Sequence, residues 1–308
     1  MRLGVDVGGT KIEILALESG GREILRERVA TPRDSYEAAL RAIVELVQGA
    51  EEKLGRRGSV GLAIPGAISP FTGLVKNANS TNLIGFPLDQ DLAAALKRPV
   101  RAENDANCFT LSEAADGAAA GADIVFGIIA GTGVGGGVCV GGRVLRGAHS
   151  VTGEWGHNPL PSPSLHELEH APPCYCGKRG CIETWCSGPA VAERYYRRTH
   201  KRISVPEIVE RARNGESAAQ LTLESLTDRL ARSIATVVNI LDPDVIVMGG
   251  GLSNIDQLYE DLLDFVQRYA FTTERHTRIV KAMHGDSSGV RGAAWLWRED
   301  EVEAALPG

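Results

Sequence analysis

The chain has 308 residues, 43% hydrophobic and 23% charged, the balance of a water-soluble globular protein long enough for two domains. Acidic side chains outnumber basic ones, 39 to 33, and the formal charge of −6 argues against the basic footprint of a nucleic-acid binder. No apolar run reaches the length of a membrane span. Six cysteines behind an N-terminus with no leader-like segment point to a reducing, cytoplasmic setting.

Residues 3–7 alternate as a strand that runs into Asp6-Val7-Gly8-Gly9-Thr10-Lys11, and a second strand, residues 12–17, follows at once. This is strand, glycine turn, strand, and not the strand–loop–helix of a P-loop or a dinucleotide fingerprint. Glycines let backbone N–H groups approach an anion, Thr10 adds a hydroxyl, and Asp6 is placed to hold a magnesium-bound water. The same residues also suit a plain Gly-Gly hairpin. Residues 22–30 read as a third strand. Residues 36–54 read as a helix, with Ala39, Leu40, Ile43, Val44, Leu46 and Val47 at helical spacing. Residues 60–64 form a buried strand that ends in Pro65-Gly66. Residues 73–82 are a polar loop whose amides, Asn79 among them, suit hydroxyl recognition, as the polar side chains of any loop do.

A short helix, residues 89–97, and a strand, residues 100–102, lead to Glu103-Asn104-Asp105-Ala106-Asn107, ahead of a helix predicted over 106–120. Asp105 reads equally as a helix N-cap and as a general base, since strand ends in open α/β sheets face the crevice. Residues 124–130 are a strand, followed by Gly131-Thr132-Gly133-Val134-Gly135-Gly136-Gly137 and a strand to residue 140. This second strand–glycine turn–strand unit echoes the first and predicts a duplicated phosphate-binding hairpin, one per domain.

Glu154-Trp155-Gly156-His157 comes next, then a proline-rich loop, then Cys174, Cys176 and Cys181, with Glu183 just beyond. Three thiolates and one imidazole fill a closed tetrahedral zinc shell, the arrangement of a structural site. Cys174 and Cys176 are too close for an unstrained bridge, so a disulfide with a spare thiol is the weaker alternative. A catalytic zinc would keep an open position and carry fewer thiolates. Glu154 and Glu183 flank the ligands without joining them. Sixteen residues, five of them proline, separate His157 from Cys174 and predict a semi-rigid loop. Helices are predicted over 188–200, 205–214, 218–241 and 255–269. A buried strand over 245–248 runs into Gly249-Gly250-Gly251, which suits either the adenosine end of a nucleotide or a tight strand–helix turn. A strand over 278–282 and a helix over 289–297 close the chain.

Taken together, Asp6-Val-Gly-Gly-Thr-Lys11, Asn104-Asp105, Gly131-Thr-Gly133, Glu154-Trp-Gly-His157 and Cys174-x-Cys176-x4-Cys181-x-Glu183 resemble the ROK family of repressors, open reading frames and kinases. That family belongs to the hexokinase–actin–Hsp70 superfamily. Within it the chain looks most like bacterial fructokinases, or mannokinases, through the stretches at 31–33, 76–81, 157–161 and 284–292. The resemblance implies a two-domain α/β, actin-like ATPase (ribonuclease H-like) fold with a cleft between the domains. Residues 1–117 with the helix 289–298 would form the small domain. Residues 118–288, with the zinc motif over 157–181, would form the large one.

It also implies roles. Asp105 would be the base that takes the proton of a sugar hydroxyl. Asn104, Asp105, Glu154, His157 and Glu183 would bind the sugar, with Gly66 and Asn79 beside them. His157 would put one ring nitrogen on the structural zinc, shared with Cys174, Cys176 and Cys181, and the other toward the sugar. Gly8, Gly9, Thr10, Lys11, Gly131, Thr132 and Gly133 would cradle the phosphates of magnesium-ATP, with Asp6 at the metal and Gly250 near the adenosine. The expected activity is ATP-dependent phosphorylation of a hexose, fructose to fructose 6-phosphate first and mannose second. Glucose, N-acetylglucosamine or N-acetylmannosamine are the alternatives within the family. A sugar-responsive repressor ranks below them, because family repressors carry an N-terminal DNA-binding segment and this chain starts in its first strand. Sugar and ATP are the expected small-molecule partners, with no nucleic acid, no membrane, and a homodimer as the assembly.

Overall fold

The computed structural model describes residues 1–32, 35–78, 80–285 and 288–306. In chain order the first elements are β1 (Arg2–Val7), β2 (Lys11–Leu17), β3 (Glu23–Ala30), α1 (Tyr36–Leu54), β4 (Ser59–Ile64), β5 (Ala67–Ile68), β6 (Val75–Lys76), α2 (Leu88–Leu96), β7 (Val100–Asn104) and α3 (Asp105–Asp116). There follow β8 (Ile124–Ala130), β9 (Val134–Val140), β10 (Arg143–Val144), α4 (Leu165–Glu169), α5 (Glu183–Cys186), α6 (Gly188–Thr199), α7 (Val205–Arg213) and α8 (Ser217–Leu241). The last are β11 (Val245–Gly249), α9 (Gln257–Tyr269), β12 (Arg278–Lys281) and α10 (Ser288–Trp295). Two compact units result. Unit 1 holds Met1–Gly121, Gly137–Thr152 and His284–Gly308, and unit 2 holds Ala122–Gly136 and Gly153–Met283. The segment after Gly136 thus groups with unit 1, apart from its neighbours in sequence.

The sheet of unit 1 has the order β3-β2-β1-β4-β7. β1 and β2 are antiparallel, whereas β1, β4 and β7 are parallel. β4 is buried throughout, as a central parallel strand should be. β3 reads Glu-Ile-Leu-Arg-Glu-Arg-Val-Ala, and its charged positions suit the sheet edge that it forms. Ala39, Ile43, Leu46 and Val47 of α1 pack into the core with Leu3, Val5 and Leu62. Both ends of α1 are fixed locally. The Ser35 hydroxyl accepts from the Ala38 N–H, and Gly55 closes the helix at φ 66°. α10 also belongs to this unit, and beyond it the Trp297 indole donates to the Val60 carbonyl at 2.7 Å.

The second sheet has the order β10-β9-β8-β11-β12, with β10 antiparallel to β9 and with β8, β11 and β12 parallel. The repeat read from the two glycine hairpins therefore extends to whole-sheet topology. α8 buries Leu223, Leu226, Leu230 and Ile234 on one face. The proline-rich loop differs from the expectation. It contains α4, closed by a capping box between Ser164 and Glu167. Glu167 is buried and holds Arg229 at 2.7 Å and Arg232 at 2.9 Å. α3 stops at Asp116, short of the predicted residue 120, because the Glu113 side chain and carbonyl take the N–H groups of Ala118 and Ala119.

Candidate active site

Register brings the predicted residues of unit 1 to one edge. Asp6 of β1 lies opposite Ala63 of β4. Ala63 and Ile64 lie opposite Glu103 and Asn104 of β7. The turn at Gly8–Thr10, Gly66 and Asp105 therefore leave the carboxyl ends of three adjacent parallel strands, where open α/β sheets bind ligands. Asp105 is not the N-cap of α3. Asn104 is: its side-chain oxygen accepts from the Ala106 N–H at 2.9 Å, and its amide donates to the Gly66 carbonyl at 3.0 Å. Asp105 stands at the first helical position, exposed, with one carboxylate oxygen 2.8 Å from the Ala106 N–H. A negative charge is favoured there by the helix dipole. Beneath it Glu103 is buried, accepts from the Asn104 N–H and the Asn107 amide at 3.0 Å each, and pairs with Arg146. Arg146 carried no signal in the sequence.

The Asp6 carboxyl is pushed up to about 6, first by burial and then by the Asp105 and Glu13 carboxylates, against the opposing charge of Lys11. A buried carboxyl raised in this way fits a divalent cation, whose charge would favour the ionised form. Lys11, expected on phosphate, lies 3.3 Å from Glu13. The turn itself is held from behind: the Gly8 N–H donates to the Lys11 carbonyl at 2.9 Å, and the Thr31 hydroxyl donates to the Gly8 carbonyl at 2.7 Å. Gly9 and Thr10 are exposed. Asn79 lies outside the described residues, as do Arg33, Asp286 and Ser287 of the stretches singled out above.

Unit 2 repeats the arrangement with different supports. The turn at Gly131–Gly133 and Gly250 leave the carboxyl ends of the adjacent parallel strands β8 and β11. The Gly188 N–H, at the start of α6, donates to the Gly131 carbonyl at 2.7 Å. A Glu183 carboxylate oxygen accepts from the Val134 N–H at 2.9 Å, and a Cβ on Gly133 would stand 2.6 Å from that same oxygen. Gly250 has φ 79°, and a Cβ there would meet the Ala130 carbonyl oxygen at 2.5 Å, so both backbone and space demand glycine. Beside these turns a cavity of about 540 Å³ is lined by Thr132, Val209, Arg213, Gly251, Leu252 and Asn254. Its size and mixed lining suit a nucleoside.

The Glu154–His157 segment is set by Trp155, which is buried, donates its indole N–H to the Gly135 carbonyl at 2.9 Å, and meets Phe126 edge-on. His157, Cys174, Cys176 and Cys181 converge, with ligand atoms all within 4.8 Å of one another. Cys176 and Cys181 sulfurs are 3.6 Å apart, and Cys174 sulfur is 3.5 Å from His157 Nδ1. Those edges are too long for a disulfide and close to the roughly 3.7 Å sulfur–sulfur edge of a tetrahedral zinc–thiolate shell. The donor set fits zinc. The other ring nitrogen, Nε2, does not point free toward a ligand as expected: it lies 2.9 Å from the Tyr175 hydroxyl. Tyr175, which the sequence reading passed over, sits between two of the cysteines and is 82% exposed. Desolvation first, then the Glu183 and Glu154 carboxylates, raise its pKa, so both flanking glutamates act at this point.

A family model, the ROK family, matches residues 2–300. An N-acetyl-D-glucosamine kinase of Shigella boydii serotype 4 (strain Sb227) is 42% identical over 303 residues, 97% of this chain and 100% of that protein. Among solved structures, the ROK hexokinase of Thermus thermophilus aligns at a TM-score of 0.85 and 32% identity, over 96% of this chain and 97% of its own. The ROK family glucokinase of Streptomyces griseus, in complex with glucose and AMPPNP, aligns at 0.73 and 29%, over 98% and 99%. The expected leaning toward fructokinases is not supported by these relatives, and the curated one at 42% identity favours the amino-sugar alternative.

Proposed function

The chain belongs to the ROK family, and from that premise we propose that it is an ATP-dependent sugar kinase whose preferred substrate is N-acetylglucosamine. The observation that carries this reading is the full-length likeness to N-acetyl-D-glucosamine kinase. Glucose is the second substrate of this reading, since the structural relative from Streptomyces griseus is bound to glucose and AMPPNP.

The two glycine turns and the cavity beside Gly251 support a division of labour. Adenosine occupies the cavity, and the backbone N–H groups of Thr10, Thr132 and Gly133 hold phosphates. Asp6 would hold the magnesium that accompanies ATP, and that ion would supply charge neutralisation. Phosphoryl transfer needs such positioning more than it needs covalent chemistry. Asp105 accepts the proton of the sugar hydroxyl as that oxygen attacks phosphorus. The remaining N–H of Asn104, the carboxylate of Glu154 and the unbonded oxygen of Glu183 bind sugar hydroxyls. His157, Cys174, Cys176 and Cys181 would hold a zinc ion, which would supply structural rigidity to the segment beside the sugar.

A coupled ADP-release assay with N-acetylglucosamine, N-acetylmannosamine, glucose, mannose and fructose tests the substrate. The expected result is the highest kcat/KM for N-acetylglucosamine. A higher value for fructose would return the assignment to the fructokinase branch, and ADP release independent of every sugar would remove the kinase reading.

A further inference from the structure

Unit 2 carries a second cavity, of about 360 Å³, whose lining is unlike the rest of the chain. Arg194, Arg197, Arg198 and Arg229 face it against a single acid, Glu193, in a protein of net charge −6. Some of that charge is spent. Arg229 pairs with Glu167 at 2.7 Å, and Arg197 with Glu193 at 3.0 Å on the exposed rim. Arg198 makes no ion pair among the described residues. Arg194 donates one N–H to the Trp185 carbonyl at 2.6 Å, but its Nη1 is shut off from solvent with no hydrogen-bond partner among the described residues. The Trp185 indole N–H is left in the same state.

Arg194, like Arg198, makes no ion pair among the described residues, so the cavity wall carries guanidinium charge that an acceptor from outside the chain would answer. The Arg194 guanidinium is drawn down to about 9, by burial first and by the charge of Arg229 next, as expected of a cation lacking its counter-charge. An oxyanion supplies both the charge and the acceptors, and the planar donor fork of arginine matches phosphate. The cavity is larger than inorganic phosphate requires, and Trp185, Pro172 and Ala190 add apolar wall.

We propose that this cavity binds a phosphomonoester of sugar size, with its phosphate on Arg194 and Arg198 and its carbon skeleton against Trp185 and Pro172. None of these residues has a part in the kinase reading above, and the binding stands whether or not the chain phosphorylates sugars. The probes are glucose 6-phosphate, inorganic phosphate and glucose, titrated calorimetrically into the zinc-replete full chain at low salt. Glucose 6-phosphate should bind more tightly than inorganic phosphate, and the heat of glucose binding should be the same in the wild type and in Arg198→Glu. Arg198→Glu, a change at an exposed residue in the last turn of α6, should weaken glucose 6-phosphate by at least about tenfold, the worth of one charge-assisted hydrogen bond. Arg194→Gln should do at least as much, while Asp105→Asn should bind like the wild type. Undiminished binding in Arg198→Glu overturns the site, as does absence of glucose 6-phosphate binding in the wild type. Equal affinity for inorganic phosphate and glucose 6-phosphate would overturn the sugar-sized class.

Discussion

The two glycine turns sit at equivalent places in two sheets of the same topology, yet they are held in different ways. The turn at Gly8–Thr10 is tied by Lys11 and Thr31, and among the described residues a Cβ on Gly9 would meet nothing nearer than the Ser80 hydroxyl at 3.9 Å. The turn at Gly131–Gly133 is clamped from the front by Glu183 and at its start by the N–H of Gly188. Among the described residues nothing crowds the Cβ position of residue 9, whereas a Cβ at 133 would displace the Glu183 carboxylate that leans on it. The two turns are thus constrained differently: glycine at 133 serves at least partly the carboxylate that supports its own turn, and at 9 no carboxylate of the described residues leans on the glycine. The acids divide the same way, with Asp6 and Asp105 at the strand ends of unit 1 and the glutamates of unit 2 beside a cysteine knot.

The sharpest test of the acidic edge is Asp105→Asn. It preserves shape and the contact to the Ala106 N–H but removes the base, so kcat should fall by about 10²–10⁴-fold with little change in sugar affinity. Turnover near the wild-type rate would leave Asp105 a helix-terminal charge and nothing more. On the other side of the comparison, Cys176→Ser breaks the knot. Metal analysis should fall from about one zinc per chain, and the thermal midpoint and apparent sugar affinity should fall together. A variant that keeps both while losing zinc would deny the knot its supporting role.

The glycines themselves give a smaller, paired effect. Gly133→Ala should push Glu183 off the Val134 N–H and cost about 1–3 kcal/mol of stability, the range for a lost hydrogen bond to a charged group. Gly9→Ala should leave stability within about 0.5 kcal/mol of wild type and weaken ATP alone. Equal melting behaviour of the two variants would erase the distinction drawn between the turns. The smallest effect concerns Asp6 and pH. Its carboxyl titrates near 6 in the fold against 3.8 unfolded. Between those values the folded chain keeps a proton that the unfolded chain has released, so this group's contribution falls as pH rises and the penalty persists above 6. Asp6→Asn should raise the ligand-free melting temperature at pH 8 by a few degrees and leave it unchanged at pH 4. A gain at pH 4 equal to that at pH 8 would refute the assigned cause.

Much of this was legible in the sequence because the signals were local. α1 matches its predicted span from Tyr36 to Leu54, since a periodic apolar face lies between a serine cap and a terminal glycine. The convergence of His157, Cys174, Cys176 and Cys181 was readable because ligand chemistry restricts residue type and spacing. α4 lay outside the predicted helices because it is only five residues long and set among prolines, with the capping box of Ser164 and Glu167 as its one local signal. Asn104 and Asp105 are adjacent and both are good caps, so only backbone geometry could decide which one spends its side chain on the helix. The grouping of residues 137–152 with unit 1 rests on long-range contacts, such as Arg146 with Glu103 and Lys76 with the His149 carbonyl, that no local pattern announces. The basic cavity around Arg194 likewise gathers residues from α5, α6 and α8 that share no motif.

The account turns on where the γ-phosphorus of ATP goes, and phosphorus NMR follows that atom directly. With the zinc-replete chain, magnesium-ATP and N-acetylglucosamine, the γ resonance should decay while ADP and one sugar phosphomonoester grow in equal amounts, and Asp105→Asn should slow that exchange by at least about 10²-fold. Loss of the γ resonance to inorganic phosphate, or a phosphomonoester that forms with fructose and not with N-acetylglucosamine, would contradict it.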